Sequence, residues 1–203
     1  VSGRSLVAAH DPQFGPVTRT ADGFTVPITN FGPDDDFTWA IAGVTGGGSA
    51  DLDQDSGVVT VTGLAAGQEA TVTVSAVQAG YVDGEASQEG AALNAALTPQ
   101  FGSTTPTADG FTVQVSNFSA AYDWSGTATN GGQVAISDTG LVTVSNVAPA
   151  THSVATITTE RDGYVSGSET VDDTSLQAAL TPAFGSVTRT ATGFTVPVTN
   201  FAA

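Results

Sequence analysis

The chain repeats one phrase three times, and this repetition restricts its fold more than any other feature. Each copy opens on Phe-Gly, continues through Gly-Phe-Thr-Val and closes on Asn-Phe, with the opening residue at Phe14, Phe101 and Phe184. The step is 87 residues from the first copy to the second and 83 residues from the second to the third. A period of this length predicts one structural unit for each copy, in a tandem array.

The register of the copies sets the predicted boundaries. Residues 5–9 match residues 175–179, and each run leads into Pro-x-Phe-Gly. We therefore predict the tail of a preceding repeat over 1–10, a first repeat over 11–97, a second repeat over 98–180, and the first strands of a partial third repeat over 181–203. The chain contains no Met, and we expect it to be a piece of a longer array.

Two short insertions predict surface loops. The first copy is two residues longer than the second between Asn30 and Trp39, and two residues longer again between Trp39 and Gly57. The rest of the two copies aligns without gaps, and insertions confined to two places are typical of loops.

Apolar and polar residues alternate through most of each copy. Residues 24–29 read Phe-Thr-Val-Pro-Ile-Thr, and residues 58–62 read Val-Val-Thr-Val-Thr. A period of two predicts half-buried strands, and the Gly- and Asp-containing stretches between them predict turns. Six or seven short strands in a repeat of about 85 residues predict an all-β fold of tandem immunoglobulin-like antiparallel β-sandwiches. Pro27 and Pro197 interrupt the second strand, where we expect a bulge or an open edge.

The composition excludes several classes of partner. The chain has 20 acidic residues against 4 basic ones and a formal net charge of −16. Such a surface repels phosphate backbones and anionic lipids, so we expect no nucleic-acid partner. The sequence has no apolar run of 18 residues, and we expect no membrane insertion. With no Cys in the chain, core packing rather than disulfides must hold each repeat together.

One part of the repeat carries a family resemblance. Residues 134–144 read Val-Ala-Ile-Ser-Asp-Thr-Gly-Leu-Val-Thr-Val, followed by Val-Ala-Pro-Ala at 147–150 and Ala-Thr-Ile-Thr at 155–158. This order of strand, Asp-x-Gly turn, Val-Thr strand, loop and Ala-Thr-Ile-Thr strand resembles the bacterial immunoglobulin-like (Big-type) domains, and the preceding Trp124 fits the same pattern. The resemblance implies a tandem module of a secreted or cell-surface bacterial protein, such as a stalk, an adhesin or a fibre.

An acidic run in the first copy is the candidate metal site. Asp51, Asp53 and Asp55 alternate ahead of Gly57, as at the start of a calcium loop. The Gly stands one place too late for an EF-hand, and the second copy keeps only one of these carboxylates. We interpret the run as a solvated acidic turn and expect no cofactor; calcium is the alternative, which the acidic residues 34–36 of the other inserted loop would favour if the two loops meet.

The aromatic residues allow two interpretations. Trp39 and Trp124 recur at matching positions on a predicted strand, where they pack between the sheets or, alternatively, lie exposed and stack on sugars. Tyr81 and Tyr164 belong to predicted hairpin turns, exposed or packed at a junction between repeats. The Phe of each Phe-Gly pair follows a Pro, which suggests a hydrophobic wedge between neighbouring modules.

No residue pattern indicates catalysis. His10 and His152 stand at non-equivalent positions with no partner acid or nucleophile near them in the sequence, and no nucleophile elbow, phosphate loop or metal-ligand cluster is present. We therefore predict no catalytic, cofactor-binding or metal-binding residues, and not an enzyme.

Three functions remain to be compared. The first is a non-catalytic structural repeat module of a long extracellular or cell-surface bacterial protein, whose partners are neighbouring repeats of the same or identical chains. The second is a filament subunit completed by strand exchange between chains, since the two strands of the partial repeat are marginal alone. The third is a module that binds a polysaccharide or a host-surface receptor.

Overall fold

A computed structural model describes residues 5–33 and 36–201. Residues 1–4 of the predicted tail, Asp34 and Asp35 of the first inserted loop, and residues 202–203 of the partial repeat lie outside the described residues. The described residues form sixteen strands and no helix. The all-β prediction is therefore confirmed.

The first seven strands form two facing sheets. One sheet has the order β1-β2-β5-β4 and the other β3-β6-β7, with antiparallel pairing between neighbours. The strands are β1 (Thr18–Thr20), β2 (Gly23–Pro27), β3 (Thr38–Thr45), β4 (Ser49–Leu52), β5 (Val58–Thr62), β6 (Glu69–Val77) and β7 (Gly84–Ala91).

Alternation explains why these strands enclose a core. Along β6 every second residue from Ala70 to Ala76 is buried, while the residues between them are partly exposed. The inner faces of both sheets contribute to one cluster. Its buried members are Phe24, Val26, Ile28, Trp39, Leu52, Val59, Val61, Leu64, Ala70, Val72, Val74, Ala76 and Ala92.

The next seven strands repeat this topology. The sheets have the orders β8-β9-β12-β11 and β10-β13-β14. The strands are β8 (Thr105–Thr107), β9 (Gly110–Gln114), β10 (Asp123–Ala128), β11 (Gln133–Ile136), β12 (Leu141–Ser145), β13 (His152–Glu160) and β14 (Gly167–Thr174). A Cβ on Gly126 of β10 would lie 2.8 Å from both Val134 and Ile157, so the two sheets face each other closely there. The tandem β-sandwich prediction is confirmed.

By the density of its contacts the chain divides into two compact units. The first unit contains the described residues up to Pro99, together with Ser119–Trp124 and Thr158–Glu169. The second contains Gln100–Phe118, Ser125–Ile157 and the described residues from Thr170 onward.

The second insertion differs in part from expectation, whereas Pro27 follows one of the two alternatives expected for it, with no bulge. One residue of the second insertion lies within β3, where the register with β6 shifts between Ile41 and Gly43, so that part of the prediction of a loop is wrong. β2 keeps its register through Pro27, which pairs with Val58 without a bulge. Because the Pro27 carbonyl accepts the N–H of Gly15, the missing N–H points to the same side, beyond the end of β1, where no ladder bond is lost.

The third copy forms only a hairpin. β15 (Thr188–Thr190) pairs with β16 (Gly193–Thr195) in the register of β1 with β2, and Phe184 bridges to Val198 as Phe14 does to Ile28. Among the described residues no further strand joins this two-stranded sheet.

Candidate functional site

The most distinctive contact in the chain is one between an extended tail and a Gly-Tyr turn, and it occurs twice. In the first occurrence Val7 forms a parallel bridge with Tyr81. The N–H of Val7 donates to the carbonyl of Gly80 at 2.9 Å, and the N–H of Val82 donates to the carbonyl of Val7 at 2.9 Å. The tail therefore enters the repeat alongside the segment that leads into β7.

The second occurrence uses the same backbone atoms with different side chains. Asn94 forms a parallel bridge with Tyr164, donating its N–H to the carbonyl of Gly163 at 2.9 Å and accepting the N–H of Val165 at 3.0 Å. The Asn94 amide group also donates to the Gly163 carbonyl at 3.1 Å. All of these residues belong to the first compact unit.

A glycine lies against the tail in each contact, and it stands at the same number of residues after the Gly-Tyr turn in both copies. A Cβ on Gly84 would overlap the backbone carbonyl of His10, and a Cβ on Gly167 would overlap that of Leu97. Each glycine stands four residues after the glycine of its Gly-Tyr turn. The close approach of the tail requires glycine at both positions, since any side chain would push the tail away.

Polar side chains secure both tails, and one bond is common to them, because Asn117 accepts the N–H of Gln100 at 2.9 Å as Asn30 accepts that of Gln13. In the first, the Asn30 side chain accepts the N–H of Gln13 at 2.8 Å and donates to the carbonyl of Asp11 at 3.0 Å. In the second, the buried Thr159 hydroxyl donates to the carbonyl of Leu97 at 2.6 Å. Both arrangements satisfy the backbone of the tail without a charged group.

Aromatic residues surround the turns. In the first copy the Phe37 ring stacks on His10 at 4.5 Å between centroids and meets Tyr81 edge-on at 5.2 Å. In the second copy Tyr122 meets Tyr164 edge-on at 5.5 Å, and the Arg161 guanidinium lies 4.5 Å from the Tyr164 ring centroid. The tyrosines thus support the turns that receive the tails, as the junction alternative supposed.

The two tryptophans differ. Trp39 is 5% exposed and contacts Phe31 at 5.4 Å, so it belongs to the core and the sugar-stacking alternative is wrong for this residue. Trp124 is half-buried, and its indole N–H donates to the carbonyl of Ser119 at 2.9 Å.

The predicted wedge is also wrong for Phe14, which packs against the core of its own sandwich because its bridge to Ile28 draws it there.

The acidic run forms a capped turn. The Asp53 carboxylate accepts the N–H groups of Asp55 at 2.8 Å and Ser56 at 3.3 Å. The hydrogen bond from Asp55, with those from Ser56, lowers the pKa of Asp53 below its ordinary value. Asp51 lies within β4, opposite Thr60 of β5. Across residues 5–33 and 36–201, no three His, Cys, Asp or Glu side chains are grouped to hold a metal ion.

Gly57 in this turn has a packing role that the sequence pattern did not indicate. Its φ is +69°, and a Cβ would overlap the ring of Phe31. Gly140 has the same relation to Phe118, with φ +81°. The Asp-x-Gly turn of each copy therefore seats the Phe of the Asn-Phe pair, which links two of the repeated motifs through one contact.

The second histidine has a partner that is distant in sequence. His152 Nε2 lies 3.0 Å from Oδ2 of Asp172, which stands 20 residues further along the chain. Both side chains are exposed, and a pair of this kind contributes little to stability.

The part of the chain that the structure describes contains no pocket and no helix of the length and apolarity that crossing a membrane requires.

No known family's sequence profile matches this chain, and no curated protein matches it. Among solved structures, it is similar to the FN1–FN3 domains of chicken CNTN1, with a TM-score of 0.44, 14% identity, and coverage of 86% of this chain and 69% of that one. The central fibronectin-III array of RIM-binding protein gives a TM-score of 0.32 at 10% identity, with 88% and 74% covered. A segment of two fibronectin type-III domains from chicken tenascin gives 0.31 at 17% identity, with 81% and 98% covered.

Proposed function

We propose that these repeats are non-catalytic structural modules of a long extracellular bacterial protein, forming the body of a stalk, spacer or fibre of a surface or adhesin-type protein. The single observation that carries the proposal is the recurrence of the tail-and-turn contact with the same backbone bonds and the same glycine. A contact made by backbone atoms recurs wherever the repeat recurs, whereas a catalytic or ligand site needs a particular set of side chains.

The geometry of the contact suits a load-bearing chain. The tail runs parallel to the segment that leads into the last strand of its repeat, and its two backbone hydrogen bonds lie side by side along that segment. A force that slides the tail along this segment therefore strains both hydrogen bonds of the bridge at the same time, rather than breaking them one after the other. In this proposal the repeats lie at 11–97 and 98–180, and their partners are neighbouring repeats.

The surface supports an exposed, soluble setting. With a net charge of −16, copies of the chain repel one another and stay dispersed. The outer positions of the strands are small and polar, as in the Thr and Ser residues between the buried positions of β6 and β13. We therefore place the protein outside the cell or on its surface.

Stretching the full chain with a single-molecule force probe tests this function. The proposal predicts two separate unfolding events, each releasing a contour length of about 300 Å for a repeat of about 85 residues. Extension without discrete events would contradict a load-bearing role.

Titrations test the competing function. Calorimetry with calcium chloride and binding to a glycan array, both on the full chain, are expected to give no saturable signal. Saturable binding of either ligand would contradict the purely structural role and favour a binding module.

A further inference from the structure

The Arg19 side chain connects two parts of the first compact unit that are far apart in the sequence. It extends from β1, and its Nε donates to the carbonyl of Ala91 at 3.2 Å while its Nη2 donates to the carbonyl of Ala92. A Cβ on Gly163 would lie 3.4 Å from Arg19 Nη1. One guanidinium group therefore lies at the end of β7 and beside the Gly-Tyr turn that receives the second tail.

The two carbonyls belong to the point where the chain leaves the sheet. β7 ends at Ala91, and Asn94, three residues further on, makes the bridge to Tyr164. Along a regular strand the carbonyls of neighbouring residues point to opposite sides, so a side chain that bonds to both Ala91 and Ala92 lies where the strand geometry has ended. Arg19 thus holds the short segment between β7 and the tail contact.

Backbone bonds fix the rest of this segment. Leu93 donates its N–H to the carbonyl of Thr20 at 2.8 Å, and its own carbonyl accepts the N–H of Gly67 at 2.9 Å. All four carbonyls of residues 91–94 accept hydrogen bonds, and two of the four accept them from Arg19. The guanidinium therefore completes the set of bonds that leads the chain from β7 to the tail contact.

The second copy has a proline in place of this arginine. Pro106 of β8 pairs with Phe111 of β9, in the register of Arg19 with Phe24. The proline ring has no donor, so the two bonds to the end of the last strand cannot form there. Because the hairpin accepts either residue, the bonds of the Arg19 side chain have a role separate from the pairing of β1 with β2.

The second copy fixes the corresponding strand end from within its own sandwich. Ser175 stands where the first copy has Ala92, and its hydroxyl donates to the carbonyl of Ala148 at 2.6 Å. The same oxygen accepts the N–H of Thr151 at 3.1 Å. The residues that make these two bonds all belong to the second unit, whereas the Arg19 guanidinium also lies beside a turn of the following repeat.

Arginine suits this position because of its shape and its charge. The planar guanidinium presents several N–H donors at fixed spacing, and hydrogen bonds from a charged donor are stronger than those between neutral groups. The sequence has 4 basic residues, and two of them, Arg19 and Arg161, lie at the turn formed by Gly163 and Tyr164. A chain with a net charge of −16 thus places two of its few cations at the contact between consecutive repeats.

We propose that Arg19 is a clamp that couples the first sandwich to the Gly-Tyr turn of the following repeat. By holding the carbonyls of Ala91 and Ala92, it presents Asn94 to Gly163 in the orientation that the hydrogen bonds between them require. Repeats with Arg at this position form a stiff junction with the next repeat, and repeats with Pro form a looser one. The clamp presupposes the structural role proposed above, because stiffness matters in the body of a stalk or fibre.

Hydrogen exchange of the full chain tests the clamp at the amides of the second tail contact. The N–H groups of Asn94 and Val165 bond across this contact, and Arg19→Pro introduces the residue that the second copy carries. Both amides are expected to exchange about five- to tenfold faster in this variant, because two charge-assisted hydrogen bonds are lost. Arg19→Gln, which keeps the backbone N–H of β1, is expected to accelerate the same two amides.

Two controls separate a lost clamp from general destabilisation. The amides of Val7 and Val82 bond across the first tail contact and are expected to exchange at wild-type rates in both Arg19 variants. Arg189→Pro makes the same substitution at the equivalent residue of the third copy and is expected to leave all four amides unchanged. Unchanged exchange at Asn94 and Val165, or an equal acceleration at Val7 and Val82, would overturn the proposal.

Force measurements keep this test apart from that of the structural role. Arg19→Pro is expected to retain the two unfolding events of the wild type, since Arg19 is exposed and is not a member of the buried core. Failure of the clamp therefore leaves those events in place. Their absence in the wild type would contradict the structural role whether or not the clamp forms.

Discussion

Residues 5–31 and residues 175–201 are nearly the same sequence in two different environments. Twenty of their 27 positions are identical. Both form the same hairpin with the same register, and in both an Asn side chain accepts the N–H of the residue that follows the tail proline, at 2.8 Å. Within residues 5–33 and 36–201, only the first of these two copies meets a Gly-Tyr turn, a partner strand and a second sheet. The local sequence thus encodes the hairpin, while burial depends on the rest of the repeat.

The largest expected difference in the free energy of unfolding comes from replacing the equivalent phenylalanine in each of the two hairpins. Phe24→Ala removes a fully buried ring and is expected to destabilise the first sandwich by about 3–5 kcal/mol. Phe194→Ala changes an exposed ring and is expected to shift the free energy of unfolding by less than about 0.5 kcal/mol. Denaturant unfolding of the full chain measures both; similar losses would mean that the third hairpin is buried after all.

Glycine substitution tests the tail contact in the first two copies. Gly84→Ala and Gly167→Ala each place a Cβ where a tail carbonyl lies, and each is expected to cost about 1–3 kcal/mol. Gly102→Ala is the control, because its Cβ would be 3.6 Å from its nearest neighbour and the residue has no positive φ. Thermal unfolding compares the three variants, and a control as damaging as the others would refute the steric argument.

The turn of the second copy differs from the first by one cation. Arg161 lies over Tyr164 and, at 5.4 Å, over Tyr122, while the first copy has Gln78 at this place. Arg161→Gln is expected to cost about 0.5–1 kcal/mol, the usual range for an exposed cation–aromatic contact. Denaturant unfolding detects the loss, and an unchanged midpoint would show that the contact does not stabilise the turn.

The smallest effect depends on pH and is confined to the first copy. Because hydrogen bonds lower the pKa of Asp53, its carboxylate stabilises the fold above the ordinary value of 3.8, and this contribution is lost as pH falls below it. The second copy caps its turn with the Ser137 hydroxyl, which accepts the N–H of Leu141 at 2.9 Å and does not titrate here. Thermal unfolding should show wild type and Asp53→Asn converging as the pH falls below 3.8; a constant difference would contradict the assignment.

The sequence predicted the fold class well because alternation and repetition are local signals. The strands around Phe24 and Val59 and the turn at Gly57 lie where the pattern places them. The tail contact could not be predicted in the same way. Its central residues are Val7 and Asn94, with Gln177 at the third position, because backbone atoms make the bonds and leave the side chain free to vary.

Two features were visible in the sequence, but only the structure shows what these residues contact. Gly84 and Gly167 stand at the same distance from their Gly-Tyr turns, which marked them as equivalent without showing what they approach. Arg161 lies in a charged run that reads as a solvated face, yet its guanidinium lies over two tyrosine rings. Contacts between segments far apart in the chain decided both cases.

Hydrogen exchange of three backbone amides tests the central claim most directly. The claim is that the backbone of a tail is held in hydrogen bonds only where a Gly-Tyr turn receives it. In the full chain, the N–H groups of Val7 and Asn94 are bonded to the turns at 2.9 Å, while Gln177 occupies the equivalent position in the exposed third tail. The account predicts slow exchange at Val7 and Asn94 and exchange at the rate of an unfolded peptide at Gln177. Equal rates at all three positions would contradict it.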